Sequence, residues 1–475
     1  MGDPMRTSCV LEPETISRLT GGRWDRDVGN LFRGVALDSR IAEPGDLFIA
    51  LEGSSSDGHN FISNAIEHGS TGVMISSRKL WGSAMVPTLL VTDTLRGLHD
   101  LASGCRNGFK GRVIAITGSV GKTTVKEMTS AILRQEGSTI ATAGNFNNTT
   151  GVPLSVLRMC TTASFAVIEI GMSAAGEIRY LVPVVRPHTA GILNVKPVHL
   201  ENFKNLTEIA KAKAEIMEGI EPGGTVVLNA DDRLVRGLHP PGDTHIILFG
   251  RYPRARLRLG REYESTVTYQ RFEMIWDDQS YEVCLFAPGM HNRMNSAASA
   301  ALSLGTGCSM ESVIRGLKEY RPGMMRSKLW KTGDGSIVLE DCYNSSPSAL
   351  SAAINALTHL PVTGRRVLVM GDMLELGSAE ISYHSKAGEE AAAKGITCIV
   401  GFGPLTTHAV SAFRQKQSHG IGISTTDIVD AWEALYSTHR KGDVILIKGS
   451  RGMAMERLVE NIREEWGLYD VGNDR

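Results

Sequence analysis

The chain has no run of about eighteen apolar residues, the length a helix needs to cross a bilayer core, so no transmembrane helix is expected. It has no basic surplus. Lysine and arginine total 50 against 51 aspartate and glutamate, for a formal net charge of -1. Proteins that neutralise a phosphate backbone draw on an excess of Lys and Arg, so nucleic acid is not an expected partner. No C-x-x-C pair occurs. The seven cysteines, Cys9, Cys105, Cys160, Cys284, Cys308, Cys342 and Cys398, are odd in number and scattered. Neither a zinc site nor a disulfide framework is indicated, and the expectation is reduced core thiols in a cytoplasm. The opening MGDPMRTSCVLEPE lacks a basic segment followed by an apolar stretch, so no secretory signal is expected. Internal repeats and low-complexity tracts are also missing.

What is present is ordinary globular composition, 42% hydrophobic and 21% charged, over 475 residues. That length exceeds one compact core and suggests about three domains. Up to about residue 110, short strand-like runs (GVALDSR, DLFIAL, TGVMIS, TLLVT) are broken by Gly, Pro and Asp. From 111, apolar runs (RVIAIT, FAVIEI, TAGILNV, GTVVLNA, HIILF) alternate with amphipathic helices, which predicts a parallel sheet covered on both faces. Residues 251–290 alternate polar and apolar and predict an antiparallel annex, followed by an alanine-rich helix in NRMNSAASAALSLG. RPGMMRSK, at 321–328, reads as a linker. Beyond it SIVLED, RRVLVMGD, TCIVGFG and DVILIKGS predict a second, smaller α/β unit. The expected domains are 1–110, 111–321 and 322–475.

RVIAIT runs into GSVGKTT and then the helix VKEMTSAILRQ, whose apolar face is Val125, Met128, Ile132 and Leu133. A glycine-rich turn between a buried strand and a helix N-terminus converges backbone N–H groups on an anion. The loop comprises Gly118, Ser119, Val120, Gly121, Lys122, Thr123 and Thr124. Lys122 is placed to reach terminal phosphates and Thr123 to offer a hydroxyl to Mg²⁺. The loop is the short form G-x-x-G-K-T, with Ile116 where a longer motif has its first glycine. A nucleotide triphosphate, ATP, is the expected co-substrate.

In a doubly wound sheet, ligands bind beyond the carboxyl ends of the strands. Three ionisable residues fall there. Glu169 ends the run FAVIE, His199 follows TAGILNV by four residues, and Lys213 lies in NLTEIAKAKAEIMEGI. At helical spacing, Leu206, Ile209, Ala210, Ile216, Met217 and Ile220 form an apolar stripe, and Lys204, Glu208, Lys211, Glu215 and Glu218 a polar one. Lys213 falls on the apolar stripe, where burial lowers an amine's pKa. Taken singly, Lys213 could snorkel to the surface, Glu169 could pair with Lys122, and His199 could be structural. Grouped behind one phosphate loop, they favour a site for two Mg²⁺ ions.

These segments resemble the Mur ligase family. GSVGKTT is similar to its phosphate loop and TAGNFNNTTGVP to its substrate loop, which carries Asn147, Asn148 and Thr149. IEIGMSAAGEI, VHLENF and AKAKAEI are similar to the segments carrying its metal glutamate, its histidine and its carbamylated lysine. GMHNRMNSAAS is similar to the segment whose last asparagine, here Asn295, reads adenine. DCYNSSP is similar to the segment whose aspartate, here Asp341, contacts ribose and which contains Asn344. GDMLELG and KGSR resemble C-terminal signatures of the branch that adds D-alanyl-D-alanine. Asp38, Ser39 and Arg40, with PGDLFIALEG and DGHNF, resemble a uridine-binding region. The sequence departs from the family pattern at Ser173, Lys204, Ser345 and Ser346, and RPGMMR lacks the usual Gly-Arg pair before Arg326.

The resemblance implies an α/β fold of three domains. A central doubly wound P-loop domain is flanked by an N-terminal uridine-binding domain and a C-terminal Rossmann-like domain. It also implies an ADP-forming ligase that activates the carboxylate of UDP-N-acetylmuramoyl-tripeptide as an acyl phosphate and joins it to D-alanyl-D-alanine. Arg326 is implied at the γ-phosphate. Thr123, Glu169, His199 and a CO₂-derived carbamate on Lys213 are implied around two Mg²⁺ ions. The expected state is a cytoplasmic monomer. The rival readings are a sister ligase adding a single amino acid, a folylpolyglutamate-synthetase-like ligase, a phosphotransferase with the same loop, and a nucleotide-gated binding module.

Overall fold

The apolar runs of the middle of the chain assemble into the parallel half of a nine-stranded sheet, as seen in a computed structural model that describes residues 5–53, 56–159, 162–266, 268–360 and 363–471. Arg112–Thr117 lies at its heart, between Thr189–Ile192 on one side and Phe165–Glu169 on the other, parallel to both. Thr225–Asn229 and His245–Gly250 extend the sheet beyond Thr189–Ile192, again in parallel. From Arg112–Thr117 the chain crosses first toward Phe165–Glu169 and later returns to the opposite side. That reversal of strand order opens a crevice at the carboxyl end of Arg112–Thr117, where doubly wound sheets bind ligands.

The helix Lys122–Leu133 buries Val125, Met128, Ile132 and Leu133 completely, as its apolar spacing predicts. Leu257–Ser265, Gln270–Trp276 and Gln279–Leu285 form the expected antiparallel annex on the same sheet. The alanine-rich helix follows at Met290–Gly305, and its small side chains let it pack closely on the strands and on Lys122–Leu133.

The N-terminal region holds a six-stranded sheet. Its core strands, Phe32–Ala36, Asp46–Ile49, Gly72–Ile75 and Thr88–Leu90, are parallel and correspond to the four runs read from the sequence. Further elements were not anticipated, among them the helix Thr94–Gly108. Arg6–Leu11 pairs antiparallel with Phe32–Ala36, Arg23–Trp24 pairs with Thr88–Leu90, and Pro13–Thr20 is helical. Arg6–Leu11 alternates buried and exposed residues, the pattern of an edge strand covered on one face. The core is continuous into the central region: Phe32, Leu47 and Leu98 belong to the same buried cluster as Val152, Ile168 and Leu181.

The C-terminal region carries a seven-stranded sheet. Ile337–Glu340, Val444–Lys448, Arg366–Gly371, Cys398–Phe402 and Ile421–Thr425 run parallel in that spatial order. Lys328–Thr332 and Leu468–Asp470 add an antiparallel edge. Residues 321–327 form neither helix nor strand. Within them Met325 and Ser327 have φ of 61° and 53°, left-handed backbone that side chains other than glycine rarely adopt.

Two expectations are corrected. Glu215 does not lie on a solvated stripe. It is buried at 3% exposure, and its carboxylate accepts hydrogen bonds from the backbone N–H groups of Gly176 and Arg179. It thereby satisfies orphan donors at the start of the helix Glu177–Val185. The helix predicted through residue 220 is α only over Leu206–Ala214, and Glu215–Gly219 is 3₁₀. Second, Cys105 is disulfide-bonded, against the expectation of reduced thiols. The widely spaced cysteines of the sequence give no sign of that pairing. Cys9, Cys284, Cys308, Cys342 and Cys398 are free.

Candidate active site

The phosphate loop is held open from across the crevice. Ser119 N–H donates to the Asn194 carbonyl at 3.1 Å, and Val120 N–H to Asn194 Oδ1 at 3.0 Å. Asn194 Nδ2 returns a bond to the Val120 carbonyl at 2.9 Å. Gly121 has φ 86° and a Cβ there would lie 2.7 Å from Asn295 Oδ1, so both backbone and space demand glycine. Gly121 also caps the helix that begins at Lys122, whose N-terminus faces the loop. The Lys122 ammonium folds back on Gly118 O at 2.8 Å and Ser119 O at 3.4 Å. Burial pushes its pKa down, and Glu169 acts against that shift. Thr124, next in the helix, is half-buried.

Glu169, 1% exposed at the end of its strand, is the centre of the polar group. Thr123 Oγ1 donates to its Oε2 at 2.8 Å, and Asn147 Nδ2 to its Oε1 at 2.7 Å. The structure therefore joins phosphate loop, strand end and substrate loop at one carboxylate. Lys213 is 2% exposed, and burial together with the nearby Lys122 ammonium drives its pKa well below the usual lysine value. Lys211, two residues away, is exposed. His199 has φ 54°, and its pKa is lowered chiefly by burial, with the carboxylate of Glu375 opposing and Lys122 and Lys213 reinforcing. Lys122, Glu169, His199 and Lys213 thus share one electrostatic neighbourhood.

Arg326 reaches the same neighbourhood from the C-terminal side. Its charge acts on Lys122, Lys126 and Glu127, and its guanidinium lies 3.9 Å from the centre of the Tyr343 ring. Asp341 is tied to Lys448 Nζ at 2.6 Å and accepts from Ser327 N–H at 3.0 Å. Lys448 also donates to the carbonyl of Asn344, whose side chain accepts from Ser345 N–H. Asn295 sits against Gly121, 3.5 Å from Asn292 Oδ1.

Other predicted residues do structural duties in this arrangement. Asn148 Oδ1 accepts from Gly151 N–H at 2.8 Å at the start of the helix Gly151–Leu157. The Thr149 carbonyl accepts from His99 Nε2 at 2.7 Å. Asp38 caps the short helix Ser39–Ile41 in the N-terminal region and pairs with Arg40 at 2.6 Å, which holds its carboxyl below the usual range.

The sequence reading missed several residues of the site. Lys126, 3% exposed, donates to the carbonyls of Thr142 at 2.8 Å and Gly144 at 3.0 Å, and so fastens the phosphate-loop helix to the substrate loop. Its position four residues after Lys122, one helical turn on, was the available signal. Asn194 lay in the quoted run TAGILNV and carried no role. Burial lowers the pKa of His291, with the charge of Asp341 opposing and that of Lys448 reinforcing. Glu375 contacts His199 across the two regions, a pairing no spacing reveals.

The donor set suits Mg²⁺. Thr123 and Glu169 offer a hydroxyl and a carboxylate side by side. Among the described residues no group of three or more His, Cys, Asp and Glu gathers as a metal cage. Mg²⁺ takes one or two protein oxygens and completes its shell with phosphates and water, whereas a caged metal needs more. A site with an anion-binding loop, a buried cation above it and a carboxylate beside it brings a phosphate chain and a second anion together.

Residues 31–104 match the Mur ligase family catalytic domain, 116–303 the Mur ligase middle domain, and 325–451 the Mur ligase glutamate ligase domain. The UDP-N-acetylmuramoyl-tripeptide–D-alanyl-D-alanine ligase of Escherichia coli K12 is 35% identical over 434 residues, covering 90% of this chain and 93% of that protein. The crystal structure of MurF from Acinetobacter baumannii superposes with a TM-score of 0.88 at 29% identity, covering 96% of this chain and 100% of the other. MurF ligase from Thermotoga maritima, in complex with ADP, gives a TM-score of 0.79 at 27% identity over 91% and 97%.

Proposed function

The chain belongs to the Mur ligase family, and from that premise we propose that it joins D-alanyl-D-alanine to UDP-N-acetylmuramoyl-tripeptide, with ATP cleaved to ADP and phosphate, for peptidoglycan synthesis. The observation that carries the reading is the convergence of Thr123 and Asn147 on Glu169, which links the phosphate loop to the substrate loop at one carboxylate. The likeness of the whole chain to ligases of this specificity supplies the substrates.

The chemistry follows from charge. The tripeptide carboxylate must attack the γ-phosphorus of ATP, and the two anions repel. The backbone N–H groups of the first turn of the helix Lys122–Leu133 and the Lys122 ammonium neutralise the phosphates, and Arg326 approaches from the other side. Such preorganised charge is usually the largest contribution to catalysis. The carboxylate oxygen forms a bond to phosphorus, the bond to ADP breaks, and an acyl phosphate results. The amine of D-alanyl-D-alanine then attacks the acyl carbon and inorganic phosphate leaves. Holding both partners in line is the remaining contribution.

Thr123, Glu169, His199 and Lys213 are the residues that would hold two Mg²⁺ ions, which when bound supply charge neutralisation between carboxylate and phosphate. Lys213 is proposed to carry a carbamate. Its buried amine is disposed to be neutral, and only the neutral amine reacts with CO₂, giving an oxygen anion of the kind Mg²⁺ prefers. Asn295 is assigned to adenine, Asp341 to ribose, and Asp38, Ser39 and Arg40 to the uridine end. The domains are assigned as 1–110, 111–321 and 322–475. A monomer is proposed, and ATP as co-substrate supports a cytoplasmic setting. Among the described residues no helix is long and apolar enough to cross a membrane.

The test is a matrix of UDP-muramoyl-peptides against single amino acids and D-alanyl-D-alanine, read by phosphate release. The tripeptide with D-alanyl-D-alanine is expected to exceed every other pair. A dipeptide with L-lysine or diaminopimelate as the better pair would move the assignment to a sister ligase.

A further inference from the structure

The segment GDMLELG belongs to the C-terminal sheet, and His199 belongs to the central one. They nevertheless meet. His199 Nδ1 lies 2.7 Å from Glu375 Oε2, and Gly377 rests against Leu200 and Glu201. Both partners of the contact carry left-handed backbone, φ 54° at His199 and 63° at Glu375. Such conformations are unfavourable in side-chain-bearing residues and persist where the surroundings impose them. Two of them face to face across a boundary between regions mark a built contact. The loop that presents Glu375 is itself fixed: Leu374 N–H donates to Ser450 Oγ at 2.9 Å, Ser450 N–H to the Asp372 carbonyl at 3.1 Å, and Met373 N–H to His384 Nε2 at 3.0 Å. His384 is fully buried and anchored by its other nitrogen to the Glu380 carbonyl at 2.7 Å. GDMLELG and KGSR, the two C-terminal signatures, are therefore one hydrogen-bonded unit with Glu375 at its tip.

We propose that Glu375 is a positioning residue that completes the metal site from the C-terminal region by orienting His199. A carboxylate only accepts, so the pairing places the imidazole proton on Nδ1 and leaves the Nε2 lone pair for a cation. Histidines that bind metals commonly give their other N–H to a carboxylate or carbonyl, which fixes tautomer and ring orientation. Here that carboxylate arrives on the unit that also carries the amine-side signatures. The ion at His199 is consequently held best when the C-terminal region is docked, and docking is linked to metal occupancy. The inference rests on the reading of His199 as a metal ligand.

The test uses the full chain with a non-hydrolysable ATP analogue and UDP-muramoyl-tripeptide. Mn²⁺ is titrated and its binding followed by water-proton relaxation. Glu375→Ala is expected to weaken one bound ion by roughly ten- to hundredfold, the scale for losing the carboxylate behind a metal-bound histidine, and to leave the other ion unchanged. Glu375→Gln keeps an acceptor oxygen and should restore most of the affinity. The Glu375 side chain is largely exposed, so these variants should fold, which melting curves check. If His199→Ala weakens an ion and Glu375→Ala does not, the proposal is overturned and the metal site stands. If His199→Ala leaves both ions unchanged, the metal-ligand reading fails and the proposal with it.

Discussion

At the scale of single residues, Lys122 and Lys213 carry the sharpest expectations. Lys122→Ala should leave the fold intact, because its ammonium contacts loop carbonyls and not the core. ATP-dependent turnover should fall on the order of 10²-fold or more, the scale of losing one preorganised charge contact. Near-normal turnover in a folded variant would defeat the phosphate-loop reading. Lys213→Ala should likewise abolish activity, with partial rescue by short carboxylic acids that fill the vacated space. Lys211→Ala, exposed on the same helix, should be nearly silent; equal damage from the two would sink the assignment. Lys213 also makes a stability prediction. Its folded pKa lies well below the unfolded value, so at neutral pH the unfolded chain binds more protons there than the folded chain. Stability then rises with pH as the unfolded lysine loses its proton. In CO₂-free buffer without ligands, Lys213→Met should be more stable than the natural protein at neutral pH. That advantage should shrink as pH rises towards 10.5. Denaturant unfolding at several pH values measures it, and an advantage independent of pH would contradict the buried-amine account. The burial of Lys213 was legible because periodicity assigns a residue to a stripe. The burial of Glu215 was not, because its partners, the N–H groups of Gly176 and Arg179, belong to another helix 36 to 39 positions away.

At the scale of elements, the helix Lys122–Leu133 does more than cap a phosphate loop. Through Lys126 it grips the carbonyls of Thr142 and Gly144, just before the substrate-loop residue Asn147. A hydrogen bond to a charged group contributes about 1.5–3 kcal/mol, enough to fix the loop. Lys126→Met should therefore raise the KM for the UDP-peptide by about tenfold or more, the equivalent of roughly 1.4 kcal/mol, while the KM for ATP changes little. Equal rises in both would show that the helix, and not the loop, had moved. The same scale shows where pattern reading succeeds. Five parallel runs, the antiparallel annex and the alanine-rich helix were legible because each has a period of its own. Arg6–Leu11, Pro13–Thr20 and Arg23–Trp24 escaped because they are short and lie at the sheet edge or over it, where half of each element faces solvent and the apolar signal is thin. Glu169 and Thr123 could be placed as strand end and loop. Their hydrogen bond to each other, and that of Asn147 to the same carboxylate, depend on how three separate elements converge.

At the scale of the whole molecule, the site is divided between regions. Lys122, Thr123 and Glu169 come from the central sheet, whereas Arg326 and Asp341 follow the segment 321–327. In the present arrangement the charge of Arg326 reaches Lys122, and Glu375 touches His199, so the C-terminal region is docked on the central one. Docking brings like charges together: Arg326 joins Lys122 and Lys126 beside the carboxylates of Glu169 and Glu127. Without an anionic ligand this cluster repels itself, and the exposed contacts across the boundary contribute little against that repulsion. Phosphates reverse the balance. The segment 321–327 is the expected hinge, because it forms neither helix nor strand between the two regions. The ligand-free protein should accordingly populate more open arrangements, and an ATP analogue with UDP-peptide should close it. Small-angle scattering is expected to show a smaller radius of gyration under saturating ligands than without them. Salt should mimic part of the effect by screening the repulsion. An unchanged radius under all three conditions would mean that the regions stay docked without ligand, and that charge in the crevice does not control the joint.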